Sequence, residues 1–472
     1  MKREFETRVQ EIKNSVLRSV AQLAWEDRLQ EGILDIPEQI IPGPEAHTRC
    51  CVYKARAIVS SRIKLAMGGD KSDPCVVEIL PIACDECPVT EITVSPACRG
   101  CIATRCVHTC PKDAISIVNH KAVIDHSKCI SCGKCLNACP YGAIVKNLRP
   151  CERGCKNGAI TMGADRKASI NREKCIACGA CVYQCPFGAI MDKSYILDAI
   201  DLLKGAEKGY YPVYAAIAPS IAGQFQEPLG KVVAGLNALG FTHVAEVARG
   251  ADMVALHESA ELTEKGMLTS SCCPAFVNYV EKNHPHLKHL VSSTPSPMVM
   301  LGKAIKEENP NAKVVFIGPC IAKKHETQLP KASGAVDCVL TFEELHALFE
   351  SRNIDIAELE DVVLDEASGY GRGFAVSGGV SAAVAEVMKE TGSDFELKAV
   401  PCSGIDECKA ALLKAAKDLL DGNFIEGMAC EGGCAQGPVV LVRLPKNKVA
   451  VAEHVKQASK QVIVSSETID RD

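Results

Sequence analysis

Apolar residues recur every three or four positions through FETRVQEIKNSVLRSVAQLAWEDRLQEG, residues 5–32, the spacing of a single helix face. YKARAIVSSRIKLAMGG, residues 53–69, repeats that period and ends on paired glycines, so a second helix with a stop is predicted. Residues 1–75 are therefore predicted as a helical segment. From about residue 196 the period changes. The short runs VYAAIA, HVAEVA, KHLVSS and KVVFIG are separated by amphipathic stretches such as EPLGKVVAGLNALG and SPMVMLGKAIKEENP. That alternation predicts an α/β region, 196–472, of parallel strands with helical crossovers. Its last stretch, AEHVKQASKQVIVSSETIDRD, reads as a plain appendix. Residues 76–195 follow neither period and are dominated by cysteine.

A chain of 472 residues has room for roughly three domains of about 150 residues. With 47% apolar residues it can build a sizeable core, and a net charge of −5 gives no support for nucleic-acid binding. The start, MKREFETRVQEIKNSVLRSV, has no apolar signal region. The most apolar stretch, YYPVYAAIAPSIAG, is too short and too broken by proline to span a bilayer. A cytoplasmic protein without a membrane span is expected. The 27 cysteines, 19 of them between Cys50 and Cys185, are the anomaly. A disulfide scaffold belongs to short secreted chains, so metal or redox chemistry is expected instead.

The cysteines repeat. CVHTCPKDAI, CLNACPYGAI, CERGCKNGAI and CVYQCPFGAI share the pattern C-x-x-x-C-(P)-x-x-A-I, which reads as two tandem two-cluster modules of ferredoxin type within 76–195. Cys129, Cys132, Cys135 and Cys139-Pro140 fit the iron–sulfur run C-x2-C-x2-C-x3-C-P, as do Cys175, Cys178, Cys181 and Cys185-Pro186. Three closely spaced cysteines let one loop wrap a cubane, and the fourth reaches the partner cluster. A stretched run, Cys98, Cys101, Cys106 and Cys110-Pro111, completes the first module, with Cys110 serving the second cluster and Cys139 the first. In the second module Cys155 can complete the Cys175, Cys178, Cys181 set. Cys185 then needs Cys151 together with Cys84 and Cys87 of CDECP. Sixteen cysteines from Cys84 to Cys185 suit four [4Fe–4S] clusters. The alternative is three clusters, with Cys84 and Cys87 as structural thiols. Cys50 and Cys51 read as an incidental pair, and Cys75 has no assigned role.

Three further loops bring thiols together: TSSCCPAF with Cys272 and Cys273, GPCIAKKHE with Cys320, and EGMACEGGCAQGP with Cys430 and Cys434. Four thiols from three loops can hold one more cubane, and the glycines near Cys434 admit a bulky group. These loops match T-S-C-C-P, P-C-x-x-K-x-x-E and E-x-M-x-C-x-x-G-C in order. Over roughly residues 205–445 the chain thus resembles the iron–iron (FeFe) hydrogenases. Cys338, Cys402 and Cys408 match no motif and read as core thiols.

The resemblance implies an H-cluster, a [4Fe–4S] cubane joined through a cysteine sulfur to a diiron unit carrying CO, cyanide and a dithiolate bridge. By motif position, Cys273, Cys320, Cys430 and Cys434 would hold the cubane, and Cys434 would bridge to the diiron unit. Cys272 would face the dithiolate amine and pass protons, along a path through Glu258, Ser292 and Glu261. Lys323, with Glu326 beside it, would donate to a cyanide ligand, Met428 would pack near the bridging carbonyl, and Ser296 would lie near the cluster. The implied activity is reversible 2 H+ + 2 e− ⇌ H2, with electrons relayed to or from a ferredoxin-like carrier after assembly by maturation proteins. Gly318, Met298 and Phe276 depart from the methionine, glutamine and tryptophan of the best-known members, and YGRGFAVSGGV, 370–380, matches loosely. Two other readings stand beside the enzyme: a non-catalytic iron–sulfur assembly or scaffold protein, and an H2 sensor on the same fold. The set Cys272, Lys323, Glu326 and Met428 favours the enzyme, because those residues serve the diiron unit and not the cubane.

Overall fold

A computed structural model describes residues 5–46, 48–88, 91–443 and 445–464. The first helix, α1, runs Arg8–Trp25. Thr7 caps it, accepting from Gln10 N while Gln10 reaches back to the Thr7 amide. Its apolar face, Val16, Leu17, Val20 and Ala21, is buried together with residues of the helix α2, Val52–Ala66, and of the α/β region. The helical segment is thus part of one core with the C-terminal region and not a separate body.

Among its described residues the cysteine-rich region contains eight short strands: β1 (Val77–Ile79), β2 (Glu91–Val94), β3 (Ile115–Val118), β4 (Lys121–Ile124), β5 (Ile144–Asn147), β6 (Ile160–Met162), β7 (Ala168–Ile170) and β8 (Ile190–Asp192). All pair antiparallel. β2 pairs with β5 and β3 with β4, which makes one ferredoxin-like unit. β1 pairs with β8 and β6 with β7, which makes the other. The pairing of β1 with β8 corrects the expectation of two tandem modules. The first unit is inserted into the second, between Cys87 and Cys151. That is why the second module looked incomplete in sequence, since its opening strand and first two cysteines precede the whole inserted unit.

Among the described residues the α/β region holds two parallel sheets. β9 (Val213–Ile217), β10 (His243–Glu246), β12 (Lys313–Gly318) and β13 (Cys338–Thr341) form one in the order β10-β9-β12-β13. β11 (Leu268–Thr269), β14 (Ala399–Ser403) and β15 (Phe424–Met428) form the other, ordered β11-β15-β14. β9 and β12 are covered on both faces by helices, so they are apolar almost throughout. KHLVSS is not a strand. Pro285–Leu290 is a 3-10 turn, and only Val291 bridges to Thr269. Prolines 285, 295 and 297 crowd this stretch and remove the amides a ladder needs. The expected appendix is partly structural as well: the helix Pro445–Lys456 runs into it with His454 buried, and Ile463 enters the core. Its last residues, 465–472, lie outside the described residues.

Candidate functional site

The three cysteine loops each follow a strand end. Cys272 and Cys273 follow β11, Cys320 follows β12, and Cys430 and Cys434 follow β15. The carboxyl ends of parallel strands from both sheets thus point their loops at one place, as open α/β sheets do. There Cys320 faces Cys273 and Cys434, and Cys430 faces all three. Burial pushes the Cys320 thiol up to about 12, with the charges of Cys273 and Cys434 adding, and it pushes Cys434 equally far. Near neutrality such raised thiols keep their protons, and an electropositive group such as iron would be required to hold them as thiolates.

Beside them lies a cavity of about 80 Å3, walled largely by apolar side chains and reached by Cys272, Cys273, Cys320, Lys323, Met428 and Cys434. Two further observations fit a polar ligand-bearing cofactor here. The Ser220 hydroxyl lines the cavity, is fully buried and has no hydrogen-bond partner among the described residues. Lys323 is buried too, yet its Nζ donates to Glu326 Oε2 and Ser296 Oγ, each at 2.7 Å, with Cys272 O at 3.4 Å. Burial works against its charge, but Glu326 outweighs it and holds the ammonium above its ordinary range.

Cys272 leads away from the cavity. Burial pushes its thiol well above the ordinary range, and Glu258 adds to the effect, so it is a thiol and not a thiolate near neutrality. Glu258 is fully buried on the helix α3, Val247–Lys265. Its Oε1 accepts from Ser271 N at 2.9 Å, while its Oε2 has no hydrogen-bond partner among the described residues. Burial raises it to about 8, the Ser271 amide opposing. Ser292 stands between the carboxylates, within reach of Glu258 and donating to Glu261 Oε2 at 2.7 Å. Glu261 meets solvent at Lys265, 2.6 Å away. One turn of α3 separates the two glutamates, which places them on one face.

Upstream, the sixteen cysteines gather in four sets. One cavity is lined by Cys98, Cys101, Cys106 and Cys139, and another by Cys110, Cys129, Cys132 and Cys135. Cys155, Cys175, Cys178 and Cys181 line a third. Cys185 faces Cys84, Cys87 and Cys151. The shared alanine of the repeat has a physical role. Ala114, Ala159 and Ala189 donate their amides to Cys110, Cys155 and Cys185 sulfur at 3.2–3.3 Å, four residues along the chain in each case. Cys178 also neighbours Cys273, which puts the third set against the cysteines of the α/β region. Gly179 allows that approach, because at φ +76° a Cβ there would meet Ile321 and Pro438 at 2.6–2.8 Å.

The family model "Iron only hydrogenase large subunit, C-terminal domain" matches residues 211–438, and "4Fe-4S binding domain" matches 122–145 and 168–191. The large subunit of the periplasmic [Fe] hydrogenase of Nitratidesulfovibrio vulgaris is 33% identical over 374 residues, 67% of this chain and 86% of that protein. The chain belongs to the FeFe hydrogenase family. Iron hydrogenase 1 of Clostridium pasteurianum is 30% identical over 387 residues, 69% of this chain; the chain spans 66% of that relative's length. A shorter likeness, 34% over 134 residues, 24% of this chain and 25% of that protein, is to the cytosolic Fe-S cluster assembly factor NAR1 of Meyerozyma guilliermondii.

Within this hydrogenase-family site the sequence departures have structural partners. Gly318 ends β12, and the ring of Phe316 lies over it: a Cβ at Gly318 would sit 2.6 Å from that ring. Phe316 and Met298 both line the cavity. Phe276 is fully buried and packs on Gly427, where a Cβ would sit 2.3 Å from its ring. Sequence reasoning overlooked Ser220, Ser271 and Glu426. Glu426 is a buried acid in the apolar strand β15, accepting from Gly378 N, Ser381 N and Ser381 Oγ at 2.7–2.9 Å, and its charge reaches Cys272 and Cys434. The signal was available, since one acid interrupts the run FIEGM. Cys338, Cys402 and Cys408 are buried, as core thiols should be. Cys75 lies against Cys175, with its sulfur 3.2 Å from Val77 O.

Proposed function

We propose that the protein is an FeFe hydrogenase catalysing reversible 2 H+ + 2 e− ⇌ H2. The observation that carries this reading is the meeting of Cys272, Lys323, Glu326 and Met428 with the cubane cysteines, Lys323 being a buried ammonium aimed past Ser296 beside an apolar cavity. A cubane-only scaffold needs Cys273, Cys320, Cys430 and Cys434, but it has no use for that lysine or for the buried Cys272–Glu258 pair. The H-cluster, held by those four cysteines, would supply the redox-active open iron at which H2 forms or splits. Lys323 would hold a cyanide ligand by hydrogen bonding, with Glu326 and Ser296 fixing the ammonium, and Met428 would fill space against the diiron unit. The Ser220 hydroxyl would gain its missing partner.

Cys272 would deliver and remove the proton. Its thiol passes it to the free Oε2 of Glu258, and Ser292 carries it on to Glu261 at the surface. Electrons would travel through the four thiol sets, each filled by a [4Fe–4S] cluster, to a ferredoxin-like carrier. Maturation proteins would install the diiron unit. No helix among the described residues is long and apolar enough to cross a membrane, and we propose a cytoplasmic location. Infrared spectroscopy on anaerobically matured protein, combined with H2 uptake and evolution assays using methyl viologen, tests the reading. CO and cyanide bands with turnover are expected. Cubane signals without those bands would overturn it and leave the assembly reading that the NAR1 likeness suggests. The bands with turnover too slow for an enzyme would leave the sensor.

A further inference from the structure

Charge and exposed apolar surface are both concentrated in the inserted module. From Glu91 to Arg149 there are eight lysines and arginines against three acids, a net +5 in a chain of net −5, so the remainder carries −10. Among the described residues, eight of the 19 exposed large apolar side chains lie in the same stretch. This stretch is one-eighth of the chain, so neither concentration reflects its size.

The two features meet at one cluster cavity. The cavity of Cys98, Cys101, Cys106 and Cys139 is rimmed by Arg99, Ile117 and Tyr141. Ile102, between two of those cysteines, is completely exposed, and Tyr141 is 57% exposed. Arg105 and Lys121 are exposed beside it, and neither has an ion pair among the described residues. This cavity is also the outermost of the four. The inserted module joins the enclosing one at the Glu91 and Asn147 ends of β2 and β5. Cys98 and Cys139 lie beyond the opposite ends, Val94 and Ile144. The companion cavity reaches back to Ile92, nearer the junction. The outer loop of the enclosing module, by contrast, carries Asp85 and Glu86, already neutralised by Arg49 and Lys54.

We propose that the face formed by Arg99, Ile102, Arg105, Ile117, Lys121 and Tyr141 docks an acidic one-electron carrier protein, and that electrons cross to the cluster of Cys98, Cys101, Cys106 and Cys139. This rests on the relay of four clusters in the proposed function. A small apolar centre ringed by unpaired cations suits a transient electron-transfer contact, which is small and must release quickly. The ring steers an oppositely charged partner, raising its association rate by about 10–10³-fold at low ionic strength. Salt cancels that gain once the Debye length falls below about 10 Å.

The test is stopped-flow reduction of the full-length, cluster-loaded protein by a reduced acidic two-cluster ferredoxin, read as bleaching of its iron–sulfur absorbance. The readout needs no H2 turnover, so it separates docking from the hydrogenase reading. Wild-type protein should lose at least tenfold in rate between low and high salt. The double variant Arg105→Glu, Lys121→Glu should lose about 10–100-fold at low salt and become insensitive to salt. Ile102→Asp should slow reduction at both salt concentrations. Reduction by methyl viologen should not change in any of these variants. A double variant within twofold of wild type would overturn the proposal. So would an equal loss in the matched control Lys303→Glu, Lys409→Glu, whose lysines are exposed elsewhere. Wild-type protein that viologen reduces but the ferredoxin does not would overturn the choice of partner. If viologen bleaches no cluster, the relay itself is wrong.

Discussion

Replacing Glu258 by glutamine separates a proton carrier from a structural acid, because the two roles predict opposite signs in two assays. Glu258 is fully buried, and burial raises it to about 8 from an ordinary 4.5. As pH rises past 4.5 the unfolded chain loses this proton first, while the folded chain keeps it until about pH 8. The folded state binds more protons in that window, so stability falls with rising pH. At 1.36 kcal/mol per pH unit, the 2.5 units between 4.5 and 7 amount to about 3 kcal/mol of destabilisation at pH 7. Glutamine keeps the shape and the acceptor for Ser271 N, but it has no charge to bury. Glu258→Gln should therefore raise the urea midpoint of the iron-loaded protein at pH 7–8 and leave it nearly unchanged at pH 4.5. The amide cannot relay a proton between Cys272 and Ser292, so H2 turnover should fall by about 10²–10⁴-fold at every pH. A stabilised variant with turnover within twofold of wild type would refute the proton path. A stability difference that does not vary with pH would refute the burial argument.

Cys272→Ser should keep its iron content and lose about 10²–10⁴-fold in turnover, since serine holds its proton far more tightly than a thiol; loss of iron instead would make Cys272 a ligand. Protein produced without maturation proteins should contain about 20 iron atoms, five cubanes, and Cys87→Ala should lose about four of them. Cys75→Ala should lose none, and a loss would place Cys75 in the set of Cys155, Cys175, Cys178 and Cys181. Lys324 is fully buried between Asp192 of β8 and Glu344, at 2.8 and 2.9 Å, and joins the enclosing ferredoxin module to the α/β region. Lys324→Met leaves Glu344 buried without a cation, while Asp192 keeps Lys13 at 2.6 Å, and should cost about 3 kcal/mol, measured by denaturant unfolding.

What the sequence made legible was local. The cysteine runs announce their loops because a cubane needs three sulfurs within one tight turn, and the crossed sets ending in Cys110 and Cys139 follow from the repeat. The parallel strands were visible because β9 and β12 are buried on both faces and so are apolar almost throughout. Nesting was hidden because strand pairing between β1 and β8 spans more than a hundred residues, and β1 is only three residues long. Nothing in VEI marks it as the partner of IMD. Ser220 escaped notice because an unpartnered hydroxyl is a fact of three dimensions. The raised thiol of Cys272 was equally hidden. An ordinary thiol titrates near neutrality, but this one is buried beside Glu258 and held protonated.

The departures at Gly318 and Phe276 are resolved by volume and not by chemistry alone. The ring of Phe316 occupies the space over Gly318, and a Cβ there would lie 2.6 Å from two ring atoms and 3.3 Å from Ala218 Cβ. Gly318→Met must displace that ring into the cavity, an overpacking cost of about 1–3 kcal/mol. Phe316→Ala empties the same space and should cost about 3–5 kcal/mol. If glycine at 318 exists to admit the ring, the two losses are not additive. Gly318→Met combined with Phe316→Ala refills the site from the other residue and should recover at least about 1 kcal/mol over the sum of the single losses, since residues in contact couple by about 0.5–3 kcal/mol. Unfolding midpoints of the four proteins measure this coupling, and infrared bands of the matured proteins report whether the cavity still accepts the proposed diiron unit. Strictly additive losses would mean that the two positions diverged independently, and that the glycine answers to something other than the ring above it.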